Sequence, residues 1–385
     1  MRKASLQERA VIFSALFIFF LSTISATSIG GSASGGSYQL STAYAARDAR
    51  AALNSADAKY KAGLYKDAAL AYKETLAINP GSTKAMIGLV RSYQKLGYSY
   101  LAIEEYKRLC AAAVALDAEI DFEMGKAYES LGREKEALVA YKRAADSKPE
   151  CAPAHLAIGR IYMKNAKAID AQREFEAAAS KMPNDPQGAL LLGYACLANG
   201  EEQKAIEGFS RAKRLDPNLI AAYHALGGIY LGLSRYDKAI SEYKESLNVH
   251  TQDAKAHYML GYIYAKENKI DGAIDEFKSA LSIQPSYPLC YDALGYALSE
   301  KGLYEEAIAA HKEALKYDPA LASAYENLGY IYFQKGRPSE AASFYNKAIG
   351  RYEEYLRLHP QAGDRQEIEE RLKFLLEDAL NREKV

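Results

Sequence analysis

Apolar positions recur three and four residues apart through most of the chain, as at Leu226/Tyr230 and Ala239/Tyr243. This spacing predicts short amphipathic helices that come in pairs. The pairs keep a fixed step. An alanine returns at Ala68, Ala102, Ala137, Ala171, Ala205, Ala239, Ala273, Ala307 and Ala341, every 34 residues except for one step of 35. A constant period of this length is the mark of stacked helical units rather than of a conventional enzyme domain.

Other residues keep step with the alanine. Twelve positions before it stands a small residue: Ala56, Val90, Gly125, Gly159, Gly193, Gly227, Gly261, Gly295 or Gly329. Four positions after it comes an aromatic in eight of nine copies, with His311 in the remaining one. The small residue and the alanine are expected to leave room where two helices cross, so that their backbones approach closely. Gly63, Gly97, Gly132, Gly200, Gly302 and Gly336, with Asn268, fall between the paired helices, where a left-handed residue ends the first one. Pro80, Pro149, Pro183, Pro217, Pro285 and Pro319 then stop the second helix.

With these positions in register, the segment 223–230, Tyr-His-Ala-Leu-Gly-Gly-Ile-Tyr, followed by Ala239 and Tyr243, resembles the tetratricopeptide repeat. The resemblance implies an all-α fold: a right-handed superhelical solenoid of about nine helix-turn-helix repeats over 49–355, closed by a capping helix over 356–385. The departures are local. Tyr or His replaces the family's tryptophan in several units, and the second unit carries an extra residue around 111–116. Thr251 and Glu353 stand where the sixth and ninth units would have proline. In the C-terminal segment Ile368, Leu372, Leu375, Leu376 and Ala379 make one apolar stripe, suited to covering the last repeat.

Composition narrows the functional classes. The 49 basic and 49 acidic side chains cancel, so no global field recruits nucleic acid or an anionic membrane. Cys110, Cys151, Cys196 and Cys290 form no CxxC pair and read as free thiols, a Cys110–Cys151 bridge being the alternative. There is no phosphate-binding glycine loop, GxSxG elbow or HExxH, and the six histidines do not pair with carboxylates at metal-ligand spacing. His155 and His257 fill packing positions. No enzyme activity and no cofactor are expected.

The N-terminus has a different pattern. Arg2, Lys3 and Arg9 precede an apolar run over 11–21 and a small, hydroxylic stretch over 22–37. Residues 1–28 read as a secretory signal peptide or an uncleaved membrane anchor, and 29–48 as a Gly/Ser-rich linker. Both readings place the repeats outside the cytoplasm, in the periplasm or anchored at the outer side of an inner membrane.

In tetratricopeptide arrays the first helix of each unit lines the concave wall. By that resemblance the residue after the small position faces the groove: Asp57, Arg91, Lys126, Arg160, Tyr194, Gly228, Tyr262, Tyr296 and Tyr330. Arg91, Lys126 and Arg160, supported by Lys95 and Lys164, form a basic stretch suited to carboxylates. Tyr194, Tyr262, Tyr296 and Tyr330, joined by Leu190, Tyr258 and Phe333, form an aromatic stretch suited to contact with a partner. Tyr93, Tyr128, Tyr162, Tyr230, Tyr264 and Tyr332, three places after the small position, are assigned to packing. The family's carboxylate clamp is not reproduced by Leu53/Asp57, Ile87/Arg91 and Phe122/Lys126, which argues against a cytosolic chaperone adaptor. The expected function is a scaffold holding an extended protein segment or domain. Glycan contact in polysaccharide export or envelope assembly, and self-assembly, are the alternatives.

Overall fold

The computed structural model describes residues 36–111, 118–360 and 363–382, with side chains from 47 to 376 except at 109–117 and 361–362. Among the described residues there are nineteen helices and no strand. The expected signal or anchor over 1–28 and the extra residue near 111–116 lie outside them. The chain divides into two compact units, Met1–Ala144 and Ala145–Val385.

The first unit contains α1 (Gly36–Lys61), α2 (Tyr65–Ile78), α3 (Thr83–Lys95), α4 (Ser99–Ala111), α5 (Ala118–Ser130) and most of α6 (Glu134–Ser147). The described part of the expected 29–48 linker is helical from Gly36 onward, because the alanine-rich stretch around Ala43–Ala46 and Ala49–Ala52 has the highest helix propensity available and outweighs the glycines before it. The second unit contains α7 (Ala152–Lys164), α8 (Ala168–Lys181), α9 (Pro186–Ala198), α10 (Glu202–Leu215), α11 (Ile220–Gly232) and α12 (Tyr236–Val249). It continues with α13 (Ala254–Lys266), α14 (Ile270–Ile283), α15 (Pro288–Glu300), α16 (Tyr304–Tyr317), α17 (Ala322–Gln334), α18 (Pro338–Leu358) and α19 (Arg365–Arg382).

Three residues join the two helices of every repeat, and the same hydrogen bonds close the first helix each time. In the first repeat Gly63 N–H donates to the Tyr60 carbonyl and Leu64 N–H to the Lys59 carbonyl, a Schellman motif that satisfies two terminal carbonyls. The motif needs a left-handed residue. Six repeats supply the glycines named above and a seventh supplies Asn268, whereas Ala166 and Ser234 adopt φ of 55° and 56° although they carry a Cβ.

The second helices stop where the prolines require. Ile78, Ser147, Lys181, Leu215, Ile283 and Tyr317 are each the last helical residue two places before a proline. Thr251 leaves the sixth repeat unchanged, and its helix still ends at Val249. Glu353 does not stop the ninth, so α18 runs on for 21 residues to Leu358, and Pro360 follows.

All nine register alanines are fully buried. The small residue twelve places earlier has a more specific partner than the close backbone approach expected of it. A Cβ at Gly193, Gly227, Gly261 or Gly329 would lie 2.6–2.8 Å from the ring of Phe209, Tyr243, Phe277 or Tyr345 respectively. Gly125 and Gly159 are covered in the same way by Tyr141 and Phe175. The glycine is therefore a socket for the aromatic that follows the alanine in the same repeat. Close backbone approach is added at Gly208, where a Cβ would come 3.0 Å from Gly193 Cα. Phe175, Phe209, Tyr243 and Phe277 are fully buried, and each such ring contributes about 1.5–3 kcal/mol by leaving water.

The second unit ends with α19 against the last repeat. Leu375 is buried and Ile368 and Leu372 pack on the same core cluster, as their i, i+4, i+7 spacing requires. Leu376, expected in the stripe, is exposed because it falls beyond this narrow contact line, and Ala379 lies outside the described side chains.

Candidate functional site

In the first unit the cations expected to face a partner are engaged by their own neighbours. Arg91 Nη2 bonds Glu119 Oε1 at 2.7 Å and its Nε bonds Glu123 Oε1 at 2.9 Å. Lys126 Nζ donates to Glu123 Oε2 at 2.9 Å. Burial disfavours the Arg91 charge, but Glu123 and Glu119 outweigh that and raise its pKa. Glu123 is itself buried, so it depends on these two cations for compensation. Asp57 accepts a 2.7 Å bond from the Tyr72 hydroxyl. The two Arg91 pairs cross from one repeat to the next, which the register of a single repeat does not show, whereas Lys126–Glu123 lies within α5 and Tyr72–Asp57 within the first repeat.

The second unit presents Arg160 exposed on α7, and then four tyrosines. Tyr194, Tyr262, Tyr296 and Tyr330 keep 37%, 37%, 49% and 47% of their surface exposed. Each stands at one position of the repeat, on α9, α13, α15 and α17, and Gly228 occupies that position on α11. Tyr194 makes an edge contact with Phe209, with centroids 4.9 Å apart, and Lys266 Nζ lies 5.4 Å from the Tyr262 ring. Phe333 is also exposed, whereas Leu190 is buried.

Tyr258 differs from the expectation. It is half-buried against Phe277 and Tyr287, and burial pushes its hydroxyl up to about 12. It shares a helix face with Tyr262, four residues on, but Tyr287 of the next repeat covers it, with ring centroids 5.1 Å apart. The tyrosines assigned to packing do pack: Tyr93 and Tyr332 are buried, and Tyr128, Tyr162, Tyr230 and Tyr264 lie against the core clusters. Cations cover several of them, with Arg337 centred 4.9 Å from the Tyr332 ring and Arg133 5.0 Å from that of Tyr128.

The histidines do more than fill space. His155 Nδ1 bonds Glu174 at 2.7 Å and His257 Nδ1 bonds Glu276 at 2.6 Å, in equivalent places three repeats apart. His224 Nε2 bonds Asp253 at 2.7 Å. Cys151, Cys196 and Cys290 are free thiols, and burial pushes Cys290 up to about 12. Among the described residues no three His, Cys, Asp or Glu side chains cluster as a metal site would require, and no helix is long and apolar enough to cross a membrane.

The exposed tyrosines lead to a cavity of about 320 Å³ between α15, α17 and α19. Tyr296 and Tyr330 wall it with Phe374 and Leu375, and His311 and Ser299 line it. Glu326 beside it takes Arg371 Nε at 3.1 Å and the Tyr352 hydroxyl at 2.8 Å. Ser299, Asn327, Arg371 and Phe374 were not singled out from sequence. The available signal was His311, the one non-hydrocarbon ring in the aromatic slot.

Comparison with known proteins agrees with this architecture. The chain matches the family described as TPR repeat at 261–302 and 295–336, and families described as tetratricopeptide repeat at 156–220 and at 119–151, 220–249 and 322–355. With short breaks these matches cover more than half of the chain. No curated protein matches it. Among solved structures, the C-terminal part of a TPR repeat-containing protein from Cytophaga hutchinsonii is similar at 20% identity and TM-score 0.54, over 63% of this chain and 99% of that one. A tetratricopeptide repeat protein from Parabacteroides merdae aligns at 18% identity and TM-score 0.53, over 67% of this chain and 98% of that one. MamA is 26% identical over 43% of this chain and 97% of its own, with TM-score 0.40. The repeat register, the helical hairpins and the matched segments lead to one conclusion: the chain belongs to the tetratricopeptide-repeat family, whose members are protein-interaction scaffolds.

Proposed function

We propose that the row Tyr194, Tyr262, Tyr296 and Tyr330 is the surface on which the second unit holds an extended segment of a protein partner, and that it does so outside the cytoplasm. The observation that carries this reading is the contrast among the tyrosines. Those in the helix seam are packed, whereas this set keeps more than a third of its surface in solvent at one repeated position. A solvent-exposed ring loses little rotamer freedom on binding and supplies both apolar area and a hydroxyl, so a row of them suits partner contact. Arg160 extends the row with an unburied guanidinium that can bind carboxylate in two-pronged fashion. In the first unit, Arg91 and Lys126 contribute to a partner only by exchanging their bonds to Glu119 and Glu123, which favours the aromatic row as the main contact. Export rests on the basic, then apolar, N-terminal sequence.

In-cell crosslinking from positions beside Tyr262 and Tyr296, read by mass spectrometry, tests the binding surface. Tyr262→Ala with Tyr296→Ala is expected to abolish the crosslinked protein while leaving the helical content unchanged. Undiminished capture by the double variant would remove this surface from consideration. Binding of purified polysaccharide, lost in the same variant, would assign the row to glycan instead. Alkaline extraction of membranes separates the anchored form from the cleaved one, and recovery of the protein in cytosol would overturn export.

A further inference from the structure

The charge that cancels over the whole chain does not cancel within its parts. Met1–Ala144 carries 19 basic and 14 acidic side chains, and Ala145–Val385 carries 30 and 35. The contrast is plain two positions before and two positions after each register alanine. In the first unit these positions hold Lys66, Leu70, Tyr100, Glu104, Lys135 and Val139. From the fifth repeat to the eighth they hold no lysine or arginine, but Glu207, Asp237, Asp271, Asp275 and Glu305.

The two positions are four residues apart and share one face of the helix. In the first unit that face is opposite the buried one, where Ala68, Tyr72, Ala102, Tyr106 and Ala140 enter a single core cluster. Leu70, Tyr100 and Val139 accordingly keep 50%, 63% and 57% of their surface in solvent, and Leu101 is exposed beside Tyr100. Large apolar side chains left out on three successive second helices mark a contact surface. Its free charge is positive. Lys66 and Lys135 are exposed and make no ion pair or hydrogen bond among the described residues, whereas Glu104 is held by Lys107 at 3.2 Å.

Whatever covers this face must offer negative charge and apolar depth together. The acidic row of a second copy supplies the charge but no apolar surface to cover Leu70, Tyr100 and Val139. An anionic bilayer supplies both: lysines meet the headgroups, while leucine, valine and the tyrosine ring enter the boundary between headgroups and acyl chains. Position along the chain agrees. Gly36, the first residue of α1, comes fifteen residues after Leu21, the end of the N-terminal apolar run. A bilayer holding that run would lie at most about 50 Å from the start of α1.

We infer that the outer face of α2, α4 and α6 docks on the surface of an anionic phospholipid bilayer. The inference is independent of the tyrosine row.

The chain has no tryptophan, so Tyr100→Trp in the full chain gives a single reporter of depth. It is mixed with phosphatidylcholine vesicles with or without phosphatidylglycerol, their acyl chains brominated to quench an inserted indole. Saturable quenching on the phosphatidylglycerol vesicles, weakened by sodium chloride and absent on phosphatidylcholine alone, is expected. Tyr330→Trp, a second single reporter, should stay unquenched, which separates docking of this face from tethering by the N-terminal segment. Lys66→Gln with Lys135→Gln should raise the lipid concentration for half-maximal quenching at least about tenfold, with unchanged helical content. An unquenched reporter at position 100, or equal quenching of both reporters, would overturn the inference. So would burial of the position-100 reporter in a lipid-free dimer, which assigns the face to a second copy, or in-cell crosslinks from that position to a protein and not to lipid, which assign it to a protein partner.

Discussion

At the scale of single residues, stability is set by backbone conformation and by buried carboxylates. Ala166 and Ser234 hold the left-handed conformation that glycine holds in six other repeats, at a cost of about 1–2 kcal/mol each. Ala166→Gly is therefore expected to stabilise the fold by about 1 kcal/mol, measured by urea denaturation; a destabilised variant would show that the alanine methyl contributes more than the strain. Asp253 carries a pH dependence. Burial alone would raise its pKa, but His224, the Ala256 N–H and Ser246 donate to it and together hold it at about 2. A folded-state pKa below the ordinary carboxylate value gives stability that is present above about pH 4 and lost as pH falls through about 2. Ionised Asp253 thus contributes roughly 2 kcal/mol at neutral pH. Asp253→Asn should remove that amount and flatten the stability profile between about pH 4 and 2; an unaltered acid limb would contradict it. Single positions were also the most legible level. A left-handed glycine or a stop at proline is dictated by its own backbone, so the residue identity alone located it.

At the scale of the helix pair, the glycine-ring contact is the fastening between the two helices. Gly227→Ala would gain up to about 1 kcal/mol in helix propensity. It would also push a methyl into the buried Tyr243 ring, and overpacking of this kind costs about 1–3 kcal/mol. Net destabilisation is expected, with slower loss when Tyr243→Leu is combined with it; an additive double variant would mean that ring and glycine do not meet. The sequence pattern placed both residues correctly but not their contact, because sixteen residues and a turn separate them and period alone does not say which side chain fills which hole. The same reason hid the Arg91–Glu123 pair, which joins neighbouring repeats. Tyr258 was misplaced on the exposed side because one turn of helix separates it from Tyr262, and only the presence of Tyr287 decides which of the two is covered.

At the scale of the whole molecule, a stack is finished only when its last apolar face is covered. Leu375 and its neighbours on α19 cover the cluster that includes Leu328, Ile349 and Tyr352. Truncation after Pro360 is expected to expose that cluster and give concentration-dependent association in sedimentation that the full chain does not show; sedimentation identical to the full chain would assign the covering role elsewhere. The solenoid and its closing helix were legible because repetition multiplies a weak signal nine times. The cavity was not, because it depends on departures from the repeat: one histidine, one longer helix and one terminal segment brought together. The socket glycine and its ring have a consequence for how such a chain changes length. Both lie within one 34-residue copy, so a copy gained or lost by recombination brings or removes its own internal fastening intact. Array length can then drift between descendants without retuning any surviving pair, whereas a site made of departures from the pattern, such as that around His311, stays tied to the end where it arose.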